Sequence, residues 1–337
     1  MNILFTCVGR RVALLEAFRG AMAELDVAGR LLGTEVTAAC AAFHKVDVGL
    51  IVPRVADRQY VPALTNIIRQ HRVGLLVPLT DLDLRLLARH RDEFAEAGCT
   101  VMIGSEQAVA LCQDKARTNA FLAEAGLAAI KTCMLSEFRS RPFYPCFVKP
   151  IAGSSGIGTG MIESAEQLQA HVAAYGEDLI VQEYVPGREF TVDVYRSRTG
   201  QVHSIVPRQR LSVRSGEVEK GVTVKDQAVM AAARDLAERL EGIWGVFCCQ
   251  CRRPQQSADS RPRFFEINPR FAGGAPLAIA AGANLPLYLL QEVLGRPITG
   301  KVGDFTDRLL MLRYDEAVFT QVDDVSSLPG CETPKFR

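Results

Sequence analysis

The first hundred residues alternate short apolar runs with stretches of helical periodicity, and this alternation constrains the chain more than any other feature. Segments 2–8, 31–36, 74–80 and 100–104 read as strands, 49–53 as a further apolar run, and 12–25, 61–69 and 82–97 as helices. Repetition of this kind builds a parallel α/β layer. Ligand contacts in such sheets come from the loops after strand C-termini. That rule singles out Gly9, Arg10 and Arg11 after the first strand, and Thr80, Asp81 and Asp83 after the strand at 74–80. The first loop reads CVGRR and carries no GxGxxG fingerprint, so dinucleotide binding is not supported. Asp81 also suits an N-cap on the following helix, a role compatible with substrate contact.

At 337 residues the chain exceeds what one hydrophobic core ordinarily supports, so two or three domains are expected. Its 39 basic and 38 acidic residues nearly cancel, which argues against a nucleic-acid or membrane surface. No apolar run approaches the roughly 20 residues needed to span a bilayer. The N-terminus places its basic residues after its apolar run, the reverse of a secretory signal. Most of the ten cysteines sit inside apolar runs, where thiols pack as small hydrophobes. Cys248, Cys249 and Cys251 have no matching Cys/His pair at zinc-finger spacing. A reduced, cytoplasmic protein is the expectation.

Residues 105–126 look helical, with Gln113, Asp114 and Lys115 at a junction between segments. Short strands follow at 129–135 and 145–150. Lys149 is the only charge in the second of these, uncommon unless it has an anionic partner or reaches water. Directly after it comes AGSSGIGTG, residues 152–160. Glycine permits close backbone approach, so successive N–H groups of such a loop can surround phosphate oxygens. The same residues also fit a hairpin turn with Met161 opening the return strand, and no Lys-Ser/Thr follows to make a Walker A loop.

A helix at 165–174 precedes a strand at 179–182, a turn at Pro186-Gly187, and an alternating edge or half-buried strand at 189–195. Glu183 and Glu189 bracket the turn. They could accept from a nucleobase amine and sugar hydroxyls, with the Val185 backbone open to a base, or they are two solvated glutamates. Arg208, Arg210 and Arg214 stand at even spacing, on one face of an extended chain. Such a row needs opposing anions, and phosphates, a carboxylate substrate or water would all serve. Residues 224–240 form an alanine-rich helix.

FFEINPR, residues 264–270, places Glu266 and Asn268 on one strand face and Phe265 and Ile267 on the other, toward a core. An oxygen-donating pair suits Mg²⁺, often held by one or two carboxylates plus nucleotide phosphates. In isolation it reads equally as an ordinary strand end. Gln250 is the polar break in a strand at 245–252, and a loose hairpin at 253–262 leads to the return strand at 263–267. Antiparallel pairing of the two brings Gln250 near Glu266 and Asn268. A glycine-rich turn into a helix, a helix at 285–294, a strand-like start at 308–318 and a loose tail complete the chain.

The ordered motifs QDKART, FVKPIAGSSGIGTG, VQEYVPGREFTVDV, FCCQCRR and FFEINPRFAGG resemble the ATP-grasp superfamily over about residues 1–310. The resemblance is to the carboxylate–amine ligases similar to one half of the carbamoyl phosphate synthase large subunit. It implies an α/β fold, α+β in the catalytic part. A Rossmann-like pre-ATP-grasp domain would occupy 1–111 and a small ATP-grasp subdomain 112–190, with a central lid at about 115–185. A C-terminal subdomain with the metal site would span 191–315, followed by a tail at 316–337.

That resemblance also implies ATP and two Mg²⁺ ions, with Mn²⁺ an admissible substitute. Lys115 and Lys149 would contact phosphates, and Gly153, Ser154, Ser155, Gly156, Ile157 and Gly158 would form a mobile loop over them. Glu183, Tyr184 and the backbone of Val185 would line the adenine, and Glu189 would bind ribose. Gln250, Glu266 and Asn268 would hold metal, although many relatives have an acidic residue at the first of these. Arg270, with Arg208 or Arg210 and Lys149, would stabilise an acyl phosphate. Arg10, Thr80, Asp81 and Asp83 would face substrate. The implied reaction activates a small-molecule carboxylate and joins it to an amine, releasing ADP and phosphate. The alternatives are an enzyme forming carbamoyl or acyl phosphate and a non-catalytic nucleotide-binding regulator. A homodimer is expected, with neither nucleic acid nor membrane as partner.

Overall fold

The N-terminal apolar runs pair into one parallel sheet: β1 (Asn2–Thr6), β2 (Leu31–Glu35), β3 (Val48–Ile51), β4 (Val73–Pro78) and β5 (Thr100–Val101), in the order β3-β2-β1-β4-β5. The computed structural model describes residues 1–151, 158–214, 216–254 and 260–322. Ile3, Leu4 and Phe5 on the central strand are fully buried, as befits a sheet covered on both faces. Its helices are α1 (Val12–Glu24), α2 (Tyr60–His71), α3 (Leu84–Arg89) and α4 (Arg91–Glu96). The single helix expected at 82–97 is therefore two. His90 ends one and starts the next, and Asp92 and Glu93 favour the new N-terminus through the helix dipole.

A second compact unit comprises Gln107–Ala283 with Gly300–Arg313. It opens with α5 (Glu106–Gln113) and α6 (Lys115–Glu124), separated by Asp114. The Asp114 carboxylate caps α6 by accepting from Ala116 N (2.9 Å) and Arg117 N (3.1 Å), which places Lys115 at the first helical position. An antiparallel sheet follows, built from β6 (Thr132–Met134), β7 (Cys146–Pro150), β8 (Gly160–Ile162) and β9 (Leu179–Glu183) in the order β6-β9-β7-β8. Helices α7 (Leu135–Ser140) and α8 (Ala165–Tyr175) lie within this stretch.

The remaining elements are β10 (Arg188–Arg196), β11 (Val202–Arg214), β12 (Glu217–Thr223), α9 (Gln227–Arg239), β13 (Gly245–Arg253), β14 (Arg263–Asn268), α10 (Ala275–Ala280), α11 (Leu285–Val293) and β15 (Leu310–Leu312). Their strands form an antiparallel sheet ordered β14-β13-β10-β11-β12-β15. One face carries Phe190, Val192, Val194, Phe247, Cys249, Cys251, Phe264 and Ile267 into a core shared with Val229, Ala233 and Leu236 of α9. Strand β10 is central rather than edge or half-buried as expected, because Thr191, Asp193 and Tyr195 on its other face are also buried.

A β-bulge corrects a second expectation. Gln250 pairs with Glu266, but Cys251 pairs with Phe264, leaving Phe265 without a counterpart. A bulge re-aims the side chains that follow it. Phe264 accordingly fills the core, while Phe265 turns to the same side as Lys149.

Helix α11 belongs with the first unit, Met1–Glu106 and Asn284–Thr299. The side chain of Asn284 caps it by accepting from Leu287 N (3.2 Å), and Arg296 donates to the Leu25 carbonyl (2.8 Å). Gly153, Ser154, Ser155, Gly156 and Ile157 lie outside the described residues, as do 255–259 in the expected hairpin and 323–337 of the expected tail. No helix among the described residues is long and apolar enough to cross a membrane.

Candidate functional site

The sheet face opposite the core is polar across four adjacent strands. Register pairs Gln250 with Thr191 and Glu266, Cys248 with Asp193 and Asn268, Arg252 with Glu189, and Arg208 with Thr191. Asn268 Nδ2 donates to Glu266 Oε1 at 2.9 Å, which leaves its amide oxygen unspent. The Gln250 amide makes no hydrogen bond to the described residues. These three side chains fit a hard cation that completes its shell from phosphate and water, since they offer two amide oxygens and one carboxylate. Among the described residues no cluster of three His, Cys, Asp or Glu side chains could hold a metal alone.

Lys149 stands beside this donor set. Its ammonium lies 4.4 Å from the Phe265 ring centroid and 5.5 Å from that of Phe147. Burial between the rings lowers its pKa to about 8, opposed by Glu266 and reinforced by the like charges of Lys115 and Arg252. Three cations thus gather near Glu266 and Glu189, an arrangement that attracts a polyanion. Gly158, at the described end of the glycine loop, has a φ of +68° and packs against Pro150.

The arginines expected to await ligand anions each have a protein carboxylate. Arg208 is buried, its Nε paired with Asp193 Oδ2 and its Nη2 3.2 Å from Oδ1. Arg210 Nε lies 3.0 Å from Glu189 Oε1, and Arg214 Nε 3.7 Å from Glu219 Oε1. Burial of charge requires such a partner. Buried Arg208 Nη1 has no hydrogen-bond acceptor among the described residues, and Gly274 sits against it: a Cβ there would collide with the guanidinium and with Val218. Arg270 Nη1 donates to the Phe271 carbonyl at 3.0 Å. The Cys248 thiol, pushed up to about 12 chiefly by burial, stays neutral beneath this cluster.

The expected adenine segment leaves β9 along Glu183, Tyr184 and Val185. The N–H of buried Val185 has no acceptor among the described residues, a rare condition for a buried backbone donor. Its carbonyl accepts from Arg252 Nη1 at 3.3 Å. Glu183 Oε1 is engaged by Arg263 Nη1 (2.8 Å) and Lys131 N (3.1 Å), and Tyr184 is exposed. Glu189 Oε2 takes Arg252 Nη2 at 2.7 Å. Gly187 holds the turn at φ +138°, where a Cβ would run into the Arg253 carbonyl.

In the parallel sheet the order reverses between β1 and β4, so the loops holding Arg10, Thr80 and Asp81 border a topological switch point. Asp83 is different. It is fully buried, accepts from Tyr60 Oη at 2.8 Å, and has its carboxyl raised by burial against the opposing influence of Thr6 and Tyr60. The expectation that it faces substrate is corrected: its carboxylate faces protein. Asp83, not Asp81, also occupies the N-cap position of α3, without a side-chain capping bond.

Three contributors escaped the sequence reading. Asp193 is a lone charge between valines, the same signal that drew notice to Lys149. Arg252 shares strand parity with Gln250. Phe265 depends on the bulge and left no local signal.

The fold is that of known ATP-grasp structures. The family model described as ATP-grasp in the biosynthetic pathway with Ter operon matches residues 176–316, that of the D-ala D-ala ligase C-terminus matches 116–214, and the PylC-like N-terminal domain matches 3–102. Over residues 176–316 the chain is thus similar to the ATP-grasp superfamily. It is 26% identical over 269 residues to a formate-dependent phosphoribosylglycinamide formyltransferase of Bacteroides fragilis, covering 70% of this chain and 65% of that protein. It is 33% identical over 111 residues to a D-alanine–D-alanine ligase of Bartonella bacilliformis, covering 30% of this chain and 36% of the ligase. Less than two thirds of either relative's length is therefore matched. Among solved structures, a biotin carboxylase from Campylobacter jejuni in complex with β,γ-ATP superposes with a TM-score of 0.71 at 15% identity, over 92% of this chain and 74% of that one.

Proposed function

We propose that this chain is an ATP-dependent ligase that activates a small-molecule carboxylate as an acyl phosphate and joins it to an amine, releasing ADP and phosphate. One observation carries the reading. The β13–β14 register gathers Gln250, Glu266 and Asn268 beside Lys149, on a face that also holds Arg208, Arg210 and Arg270. A carboxylate is a poor electrophile until its oxygen carries phosphate, and phosphoryl transfer relies on cations placed where charge develops.

Mg²⁺ held by Gln250, Glu266 and Asn268 would neutralise phosphoryl oxygens. Mn²⁺ has the same oxygen preference, and these three residues would hold two ions. Lys115 and Lys149 would bind the phosphates, and Val185 N–H would meet the base. Arg270, with Arg208 Nη1, would hold the activated carboxylate, and loops carrying Arg10, Thr80 and Asp81 would contact substrate. The formyltransferase and D-alanine ligase likenesses favour small carboxylates and amines as the substrates. Residues 1–106 with 284–299 would be the pre-ATP-grasp domain, and 107–283 with 300–313 the catalytic part. We read the protein as a cytoplasmic homodimer.

Incubation with ATP, Mg²⁺ and pooled carboxylates and amines should release ADP only when both substrate classes are present. AMP and pyrophosphate as products would sink the chemistry. Glu266→Gln should lower turnover by about 100-fold or more, on the scale of losing one preorganised charge-stabilising group; wild-type rates in that variant would remove its metal role.

A further inference from the structure

Arg252 is the cation on the polar face to which the superfamily resemblance assigns no role. Strand alternation puts it two residues past Gln250 on the same face, opposite Glu189 of β10. Its guanidinium is tied at two points, Nη2 to Glu189 Oε2 at 2.7 Å and Nη1 to the Val185 carbonyl at 3.3 Å. Those tethers are the residues read above as meeting the ribose and the base, so the guanidinium spans the track a nucleoside would take between them. In-plane bonds of this kind leave the flat faces of a guanidinium available for stacking. Tyr184 lies toward one of them, its ring centroid 5.7 Å from Arg252 Cζ, and 26% of the Arg252 side chain remains exposed.

We propose that Arg252 is a nucleoside-binding residue, a planar cationic floor that stacks against the base while its edge holds Glu189 toward the ribose. The proposal rests on the nucleotide reading of this site and adds a residue to it. Stacking needs planarity as well as charge, which separates Arg from Lys here. Glu189 contributes to the rigidity of the floor, because its other oxygen is fixed by Arg210 at 3.0 Å. A second role is chemically open to Arg252, since its charge is felt by the Lys149 ammonium and could act on phosphates. The test must tell stacking from charge.

The test compares ATP with inorganic tripolyphosphate, which has no base or sugar, by calorimetry on the full chain with Mg²⁺ present. Arg252→Met should weaken ATP by about 10-fold, within the range for a cation over an aromatic face, and leave tripolyphosphate within about twofold. Arg252→Lys, which keeps the charge and loses the plane, should recover less than half of the lost ATP affinity on a logarithmic scale. Unchanged ATP affinity in Arg252→Met overturns the proposal. So does a parallel loss of tripolyphosphate, or full recovery in Arg252→Lys, since either would make Arg252 a simple charge. If Arg252→Met does not fold, Arg252→Lys decides alone, and wild-type ATP affinity in it is the overturning result. Wild-type protein that binds tripolyphosphate but not ATP overturns the nucleotide reading and the Arg252 role together; one that binds ATP while Arg252→Met is unaffected overturns the Arg252 role alone.

Discussion

Two charges, buried Asp193 and half-buried Lys149, set the chemistry of the polar face. Asp193 is fully buried and is ion-paired with Arg208. Removing one member of such a pair strands the other in low dielectric, so Asp193→Ala should destabilise the protein by about 3–5 kcal/mol, read as a lower denaturant midpoint. Lys149 behaves differently because burial outweighs the opposing influence of Glu266 and Glu189 on its charge. Its pKa of about 8 lies below the ordinary 10.5, so folding releases a proton between those values. The unfolded chain binds more protons in that window, and this group's contribution to stability therefore rises with pH from about 8 to 10.5. Anion binding runs the other way. Tripolyphosphate affinity should fall several-fold between pH 7 and pH 9 as the ammonium neutralises, and Lys149→Met should abolish that step.

Among elements, the turn at 186–187 and the bulge in β14 place the site. Gly187 combines a φ of +138° with a backbone contact that excludes a Cβ. Gly187→Ala should cost about 1–3 kcal/mol for a residue forced into that region, and should weaken ATP binding because Val185 and Glu189 flank the turn. Thermal melts alongside ATP titrations check both. The alternation in FFEINPR correctly put Glu266 and Asn268 on one side, and the antiparallel partner carrying Gln250 was readable from the hairpin. The side chosen by Phe265 was not, because a bulge is a property of two paired strands and only one of them is in the motif. Central placement of β10 was hidden for a related reason: Thr191 and Asp193 look solvated in sequence, yet Arg208 covers them from a neighbouring strand.

At the level of the whole chain, the unexpected feature is the return of Asn284–Thr299 to the N-terminal unit. Helix α11 packs with α1, and Arg296 bonds to the last carbonyl past α1. A fragment of residues 1–106 lacks that cover over its apolar helix. It should be less stable than the same fragment joined through a short linker to 284–299, compared by urea unfolding followed by circular dichroism. Equal stability of the two would show that the return segment adds nothing.

The strand–helix order of the first hundred residues, the Asp114–Lys115 junction and the pairing of Gln250 with Glu266 were all legible in the amino-acid order. Each rests on local periodicity or on a hairpin between neighbouring segments, and such signals survive in one dimension. The partners of Arg208, Arg210 and Arg252, the burial of Asp83 beneath Tyr60, the turning of Phe265 and the company kept by α11 were decided only in three dimensions. Those depend on which strands lie side by side and on which polar groups another element covers. Desolvation then dictates the pairing, because a charge withdrawn from water must find a partner wherever the fold has brought one.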